Sequence, residues 1–127
     1  MYNGYKTFED IKARQMAREF TKKIYEITKK FPRDEIYCLI SQMRRAAISI
    51  SSNLSEGYGR FFYQENIQYC RIARGSVNEV ISQIYVALDE KYITEQDFMT
   101  LYEYGRILEK AINGYILFLE QQKKKFA

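Results

Sequence analysis

Apolar residues recur along the chain at alternating steps of three and four, the spacing that collects side chains on one face of a helix. The first row is Ala13, Ala17, Phe20, Ile24, Ile27 and Phe31. The second is Ile36, Ile40, Met43, Ala47, Ile50 and Leu54. The third is Ile67, Cys70, Val77, Ile81, Ile84 and Leu88, with Ala73 taking the inward place beside Arg74 and Val80 alongside. The fourth is Phe98, Leu101, Gly105, Leu108, Ile112, Tyr115 and Leu119, without a fault in its spacing. Between the rows stand helix-ending signals: Lys29-Lys30-Phe31-Pro32, Gly57-Tyr58-Gly59 and the turn before Thr94. Acidic residues suit helix starts. Thr7 with Asp10, Asp34 or Glu35, and Thr94 with Asp97 therefore mark beginnings. The pattern predicts helices over about residues 8–30, 35–57, 63–90 and 95–121. Four long helices with short connections predict an all-α fold, an antiparallel up-down-up-down four-helix bundle in a single domain over 1–127.

Small residues qualify this picture in three places. Gly75-Ser76 sits inside the third helix, where glycine costs about 1 kcal/mol relative to alanine, so a close helix crossing is expected there. Gly105 lies in the fourth seam and carries the same expectation. In the second helix, Arg45, Ser49, Ser52 and Glu56 form a row nearly opposite the seam. A solvated helix face normally carries long charged side chains, and serine is not favoured in mid-helix. This row, with Asn53 beside it, is the candidate contact between copies in a homo-oligomer.

Composition narrows the chemistry. The chain has no histidine, so it lacks the usual general base near neutral pH and the commonest nitrogen metal ligand. Ser49, Ser51, Ser52 and Ser55 have no evident base to activate them. Gly57-Tyr58-Gly59 has neither the preceding strand nor the following Lys-Ser/Thr of a phosphate loop. Glu56 and Glu79 are the only candidates for an all-carboxylate metal pair, and ion pairing with Arg45 or Arg71 is the competing role. Cys38 and Cys70 are isolated and fit reduced thiols. We expect no enzyme, no metal or other cofactor and no small-molecule substrate. Residues Met1–Lys6 lack a signal-peptide core, and no apolar run reaches a membrane span. The expectation is a soluble cytoplasmic protein.

Charge points towards an acidic partner. The net charge is +4, yet residues 1–33 carry nine Lys/Arg against four Asp/Glu, and Lys123–Lys125 form a second cluster. Arg14, Arg18 and Lys22 share one helix face. Arg44 and Arg74 lie on later helices, and Arg60 stands in an aromatic segment with Phe61, Phe62 and Tyr63. Arginine pairs bidentately with phosphate or carboxylate, and exposed rings stack unpaired bases. Arg14, Arg18, Lys22, Arg44, Arg60 and Arg74 are thus the candidate nucleic-acid contacts. A solvated helix face and a locked helix junction account for the same residues without a ligand, and core filling accounts for most of the aromatic side chains.

The order of motifs resembles a known family. Phe8-Glu9-Asp10 opens the first helix and Tyr25–Pro32 ends it. Gln42–Ile50 reads Gln-x-Arg-Arg-Ala-Ala-x-Ser-Ile, Ser52–Arg60 reads Ser-Asn-x-x-Glu-Gly-x-Gly-Arg, and Ile72–Glu79 follows. Together these resemble the small bacterial proteins encoded by open reading frames in intervening sequences of 23S ribosomal RNA genes, some of them labelled ribosomal-protein-like. Many relatives carry Pro where this chain has Ser51, which implies a straighter second helix here. The resemblance implies a four-helix bundle and a ring-like homopentamer. It extends more distantly to the accessory variability protein of diversity-generating retroelements, which binds nucleic acid and a reverse transcriptase. RNA or a nucleoprotein is therefore the expected partner besides the chain itself. A protein-interaction adaptor without nucleic-acid binding is the alternative.

Overall fold

The computed structural model describes residues 8–126. Among them stand four α-helices: α1, Phe8–Thr28; α2, Leu39–Tyr58; α3, Tyr63–Asp89; and α4, Glu95–Lys125. A 3₁₀ turn, Arg33–Glu35, lies between α1 and α2. Each helix packs against two neighbours, in the cyclic order α1, α2, α3, α4 and back to α1. Three of these contacts show that rising numbers on one helix meet falling numbers on the next. Thr21 and Thr28 face Ala47 and Arg44. Ser49 and Gly57 face Ser76 and Asn66. Asn66, Arg74 and Asn78 face Tyr115, Asn113 and Glu109. Neighbouring helices on these contacts therefore run in opposite directions.

The core is built from the predicted rows. All six positions of the first row and all seven of the fourth are buried, Gly105 included. A Cβ at Gly105 would meet Ile81 and the Phe20 ring at 3.3 Å, so α4 approaches α1 and α3 too closely there for a larger residue. At Gly57 the fit is tighter still. A Cβ would lie 2.5 Å from Asn66 Oδ1 and 2.9 Å from Tyr69 Cβ. The Gly57-Tyr58-Gly59 segment does end α2, but its C-cap Gly59 has φ −79°, an ordinary helical value. Gly57 is there for helix crossing, and no left-handed turn is involved. α3 ends in a Schellman motif with Lys91 at φ 61°. The Lys91 N–H donates to Leu88 O and the Tyr92 N–H to Ala87 O.

The structure corrects several expectations. α2 begins at Leu39, later than residue 35, because Pro32 and the 3₁₀ turn occupy the approach. Ile36 consequently leaves the seam and is exposed. Glu35 still serves the helix start: its carboxylate accepts the Leu39 N–H at 3.4 Å and the Tyr92 hydroxyl at 2.6 Å. α4 runs on to Lys125, past 121, since three lysines suit the negative end of a helix dipole. Gly75 is exposed, and a Cβ added there would meet nothing within 4 Å. The close contact falls one residue later, at buried Ser76. Leu88 is only half-buried, and Ala87 takes the inward place. Thr94 caps α4 as expected, its Oγ1 accepting the Asp97 N–H at 3.0 Å. The cap at Thr7 and the Met1–Lys6 segment lie outside the described residues.

Candidate nucleic-acid interface

The basic row of α1 borders an open furrow between α1 and α2. Arg14, Arg18 and Lys22 follow one another at steps of four, about 6 Å apart along the helix axis. Opposite them α2 presents Ile48, Ser51, Ser52 and Ser55. Two hollows make up the furrow. One, of about 390 Å³, is lined by Ile11, Arg14, Gln15, Arg18, Ser51 and Ser55. The other, of about 310 Å³, shares Arg18 and Ser51 and adds Thr21, Lys22, Ile48 and Ser52. No acidic side chain lines either hollow. Glu19 lies on the outer flank, beside Arg18 and Lys22.

Local packing explains the furrow. Ala13 and Ala17 of α1 and Ala46 and Ala47 of α2 are all buried, and small residues let two backbones approach. Thr21 Oγ1 lies 2.9 Å from Ala17 O and 3.1 Å from Ala47 O, joining the helices at the floor. Above that level α2 offers mainly hydroxymethyl groups against three long cations, so the space between them stays open.

The three cations differ in how they are held. Arg14 is fixed from two sides. Its Nη2 donates to Asp10 Oδ2 at 2.9 Å, with the Asp10 side chain only 1% exposed. Its guanidinium lies 4.4 Å from the Tyr58 ring centroid. Arg18 and Lys22 are exposed and form no ion pair among the described residues. Behind Asp10, burial and the nearby carboxylate push the Cys70 thiol up to about 12, so Cys70 is a neutral core residue.

The remaining arginines are built into the bundle elsewhere. Arg44 Nε donates to Thr28 Oγ1 at 2.9 Å, its Nη2 reaches Tyr25 O at 3.5 Å, and it stacks on the Tyr25 ring, tying α2 to the end of α1. Arg60 stacks on Tyr69, donates to its hydroxyl at 2.7 Å and pairs with Glu56 at 3.4 Å. It locks the α2–α3 junction. Arg74 donates to Asn113 Oδ1 at 2.8 Å on the α3–α4 face, the side of the bundle away from the furrow. Of the six candidates, the structure brings together Arg14, Arg18 and Lys22 and separates them from Arg44, Arg60 and Arg74.

The second-face row of α2 also divides. Ser49 is not opposite the seam but turned to α3: its Oγ lies 2.9 Å from Ser76 Oγ. Asn53 Nδ2 donates to Ser49 O and Oγ. These two small polar residues are explained inside one chain. Arg45, Ser52 and Glu56 remain exposed. Glu56 pairs with Arg60 where Arg45 was the expected partner, and Arg71 pairs with Glu120 at 3.5 Å. Glu79 is exposed too, so neither carboxylate of the candidate metal pair points inward. Among the described residues no three His, Cys, Asp or Glu side chains gather as metal ligands. No helix there is long and apolar enough to cross a membrane.

Gln15, Ser51 and Ser55 line the furrow although their spacing did not single them out for it. A signal was present, since serines in mid-helix need a reason, but spacing within one helix does not say which neighbour a face meets.

Comparison with known proteins agrees with this architecture. The family described as 23S rRNA-intervening sequence protein matches residues 9–114. A solved structure from Bacteroides thetaiotaomicron, a protein with unknown function from the S23 ribosomal protein family, shares 19% identity. It superposes with a TM-score of 0.79 over 86% of this chain and 98% of its own. No curated protein matches the chain.

Proposed function

Because the chain belongs to the 23S rRNA-intervening sequence protein family, we propose that it works without catalysis, as an oligomeric helical bundle that binds RNA or a nucleoprotein through the basic side of α1. The observation that carries this reading is the furrow. Arg18 and Lys22 stand exposed and, among the described residues, without an ion pair beside fixed Arg14, over walls free of acidic side chains. A solvated face would gain from interspersed acids, as the α3–α4 face does with Arg71–Glu120 and Arg106–Glu109.

Contacts to phosphates release counterions, so affinity falls as salt rises. Three phosphate contacts predict a loss on the order of tens-fold between about 50 and 200 mM salt. Filter binding with structured rRNA fragments at two salt concentrations measures this. Absence of binding at the lower concentration removes the RNA reading and leaves the adaptor as the alternative.

The same reading includes assembly with copies of the chain in a ring, with five subunits following from the family resemblance. Its support is the exposed α2 edge at Arg45 and Glu56, the part of the predicted contact row that does not line the furrow. Ring closure requires two different patches per subunit. Light scattering tests it: a mass of one 15.2 kDa chain at working concentration removes the oligomer. Arg45→Glu is expected to lower the mass while the helical circular dichroism signal stays.

A further inference from the structure

We propose that the hollow between Ile11, Arg14, Gln15, Arg18, Ser51 and Ser55 is the seat of one phosphate group of a nucleic-acid backbone, an assignment that rests on the RNA reading above and gives it a definite place. Ser51, which lines the hollow, leaves a buried polar atom, its Oγ, without a hydrogen-bond partner, and Arg14 beside it is held in place through the edge it turns to Asp10. Native structures rarely leave buried donors unmet, and each exception calls for a cause. The Nε–Nη2 edge of Arg14 meets Asp10 and its face is covered by Tyr58, which leaves Nη1 to turn to a ligand. That arrangement fixes the guanidinium before any ligand arrives, so little side-chain entropy is lost on binding. Asp10 also offsets the charge of Arg14, which leaves exposed Arg18 as the uncompensated charge of the hollow.

The donor set selects the ligand. Arginine N–H groups donate only, serine hydroxyls donate readily, and no carboxylate lines the space. A phosphate oxygen accepts from all of them. Arg18 also borders the neighbouring hollow, which continues to Lys22. The cations therefore repeat at about 6 Å, a spacing suited to successive phosphates of one strand. A polyanion of regular pitch fits this row better than a single free anion. Phe61 and Phe62 follow α2 outside this lining, and no aromatic ring lines the hollow. Contact is thus to the backbone, and recognition by this seat is independent of base sequence.

Anisotropy titration of a labelled rRNA hairpin over a range of salt, with inorganic phosphate as a separate ligand followed by thermal shift, tests the seat. Ser51→Ala removes a neutral hydroxyl. It is expected to weaken RNA binding several-fold at every salt concentration and leave the salt dependence unchanged. Its thermal melt should equal or exceed the wild type, because alanine suits a helix and the lost hydroxyl had no partner. Arg18→Gln is expected to flatten the log-log salt slope by about 1. Lys124→Gln, remote from the furrow, provides the comparison for general charge loss. If the wild type binds RNA and both furrow variants bind with wild-type affinity and slope, the seat is wrong while the RNA reading stands. If the wild type binds no RNA but phosphate stabilises it and not Ser51→Ala, the seat stands as an anion site and the RNA reading falls. Failure of both ligands overturns both. Competition by an acidic peptide as effective as RNA overturns the phosphate assignment.

Discussion

Two helical glycines show how differently one residue type is used. Gly57 sits where a Cβ would lie 2.5 Å from Asn66 Oδ1, and Asn66 is itself buried and donates to the Tyr115 hydroxyl. Gly57→Ala forces α2 away from α3 or breaks that hydrogen bond. Overpacking of this kind costs about 1–3 kcal/mol, more than the helix propensity that alanine returns. Gly75 faces open space, so Gly75→Ala is expected to stabilise by about 1 kcal/mol. Urea unfolding of the two variants should give midpoints on opposite sides of the wild type. A destabilised Gly75→Ala would show instead that a second surface approaches α3 at that point. Ser49 belongs to the same scale. Its hydroxyl fills the α2–α3 contact against Ser76, so Ser49→Arg perturbs the single chain and reports on assembly only after that.

At the scale of elements, the two connections at one end of the bundle are linked. The 3₁₀ turn between α1 and α2 holds Glu35, and the turn after α3 holds Tyr92, whose hydroxyl donates to Glu35 at 2.6 Å. Tyr92 also packs against Phe31, with ring centroids 5.3 Å apart. The hydrogen bond to Glu35 is the main reason the Tyr92 phenol is pushed up to about 12 from an ordinary 10. A raised folded-state value means the contribution is complete below pH 10 and is lost as pH rises through about 12. Tyr92→Phe should therefore unfold at lower urea than wild type at pH 8, with the gap closing at high alkaline pH. A gap of constant size across that range would show that the hydrogen bond is not the source.

For the whole molecule, the burial pattern makes the two cysteines into separate probes. Cys38 is exposed at the start of α2 and Cys70 is buried within the bundle. Cys70 is also held neutral by burial, with its thiol at about 12, and the thiolate is the reactive form. A thiol reagent at neutral pH should modify one site quickly and the second only when all four helices separate. The slow rate should rise with urea in step with loss of helical signal. Equal fast reaction at both sites would contradict a closed core around Cys70.

Sequence by itself determined the helices, because period is a local property. Every position of the first and fourth apolar rows is buried as its spacing requires, and Thr94 caps α4 through a residue three places on. The Arg14–Arg18–Lys22 row was legible for the same reason. Boundaries failed where competing local geometry intervened, as at Pro32 and the 3₁₀ turn ahead of α2. What a second helix face meets was decided only in three dimensions. Ser49 turned to Ser76, 27 residues away, whereas Ser51 and Ser55 turned to the cations of α1. Spacing along one helix gives the angle of a side chain about its own axis. Which neighbour stands at that angle depends on how the helices pack, and that packing alone made a furrow from residues that read separately as a basic row and a small-residue face.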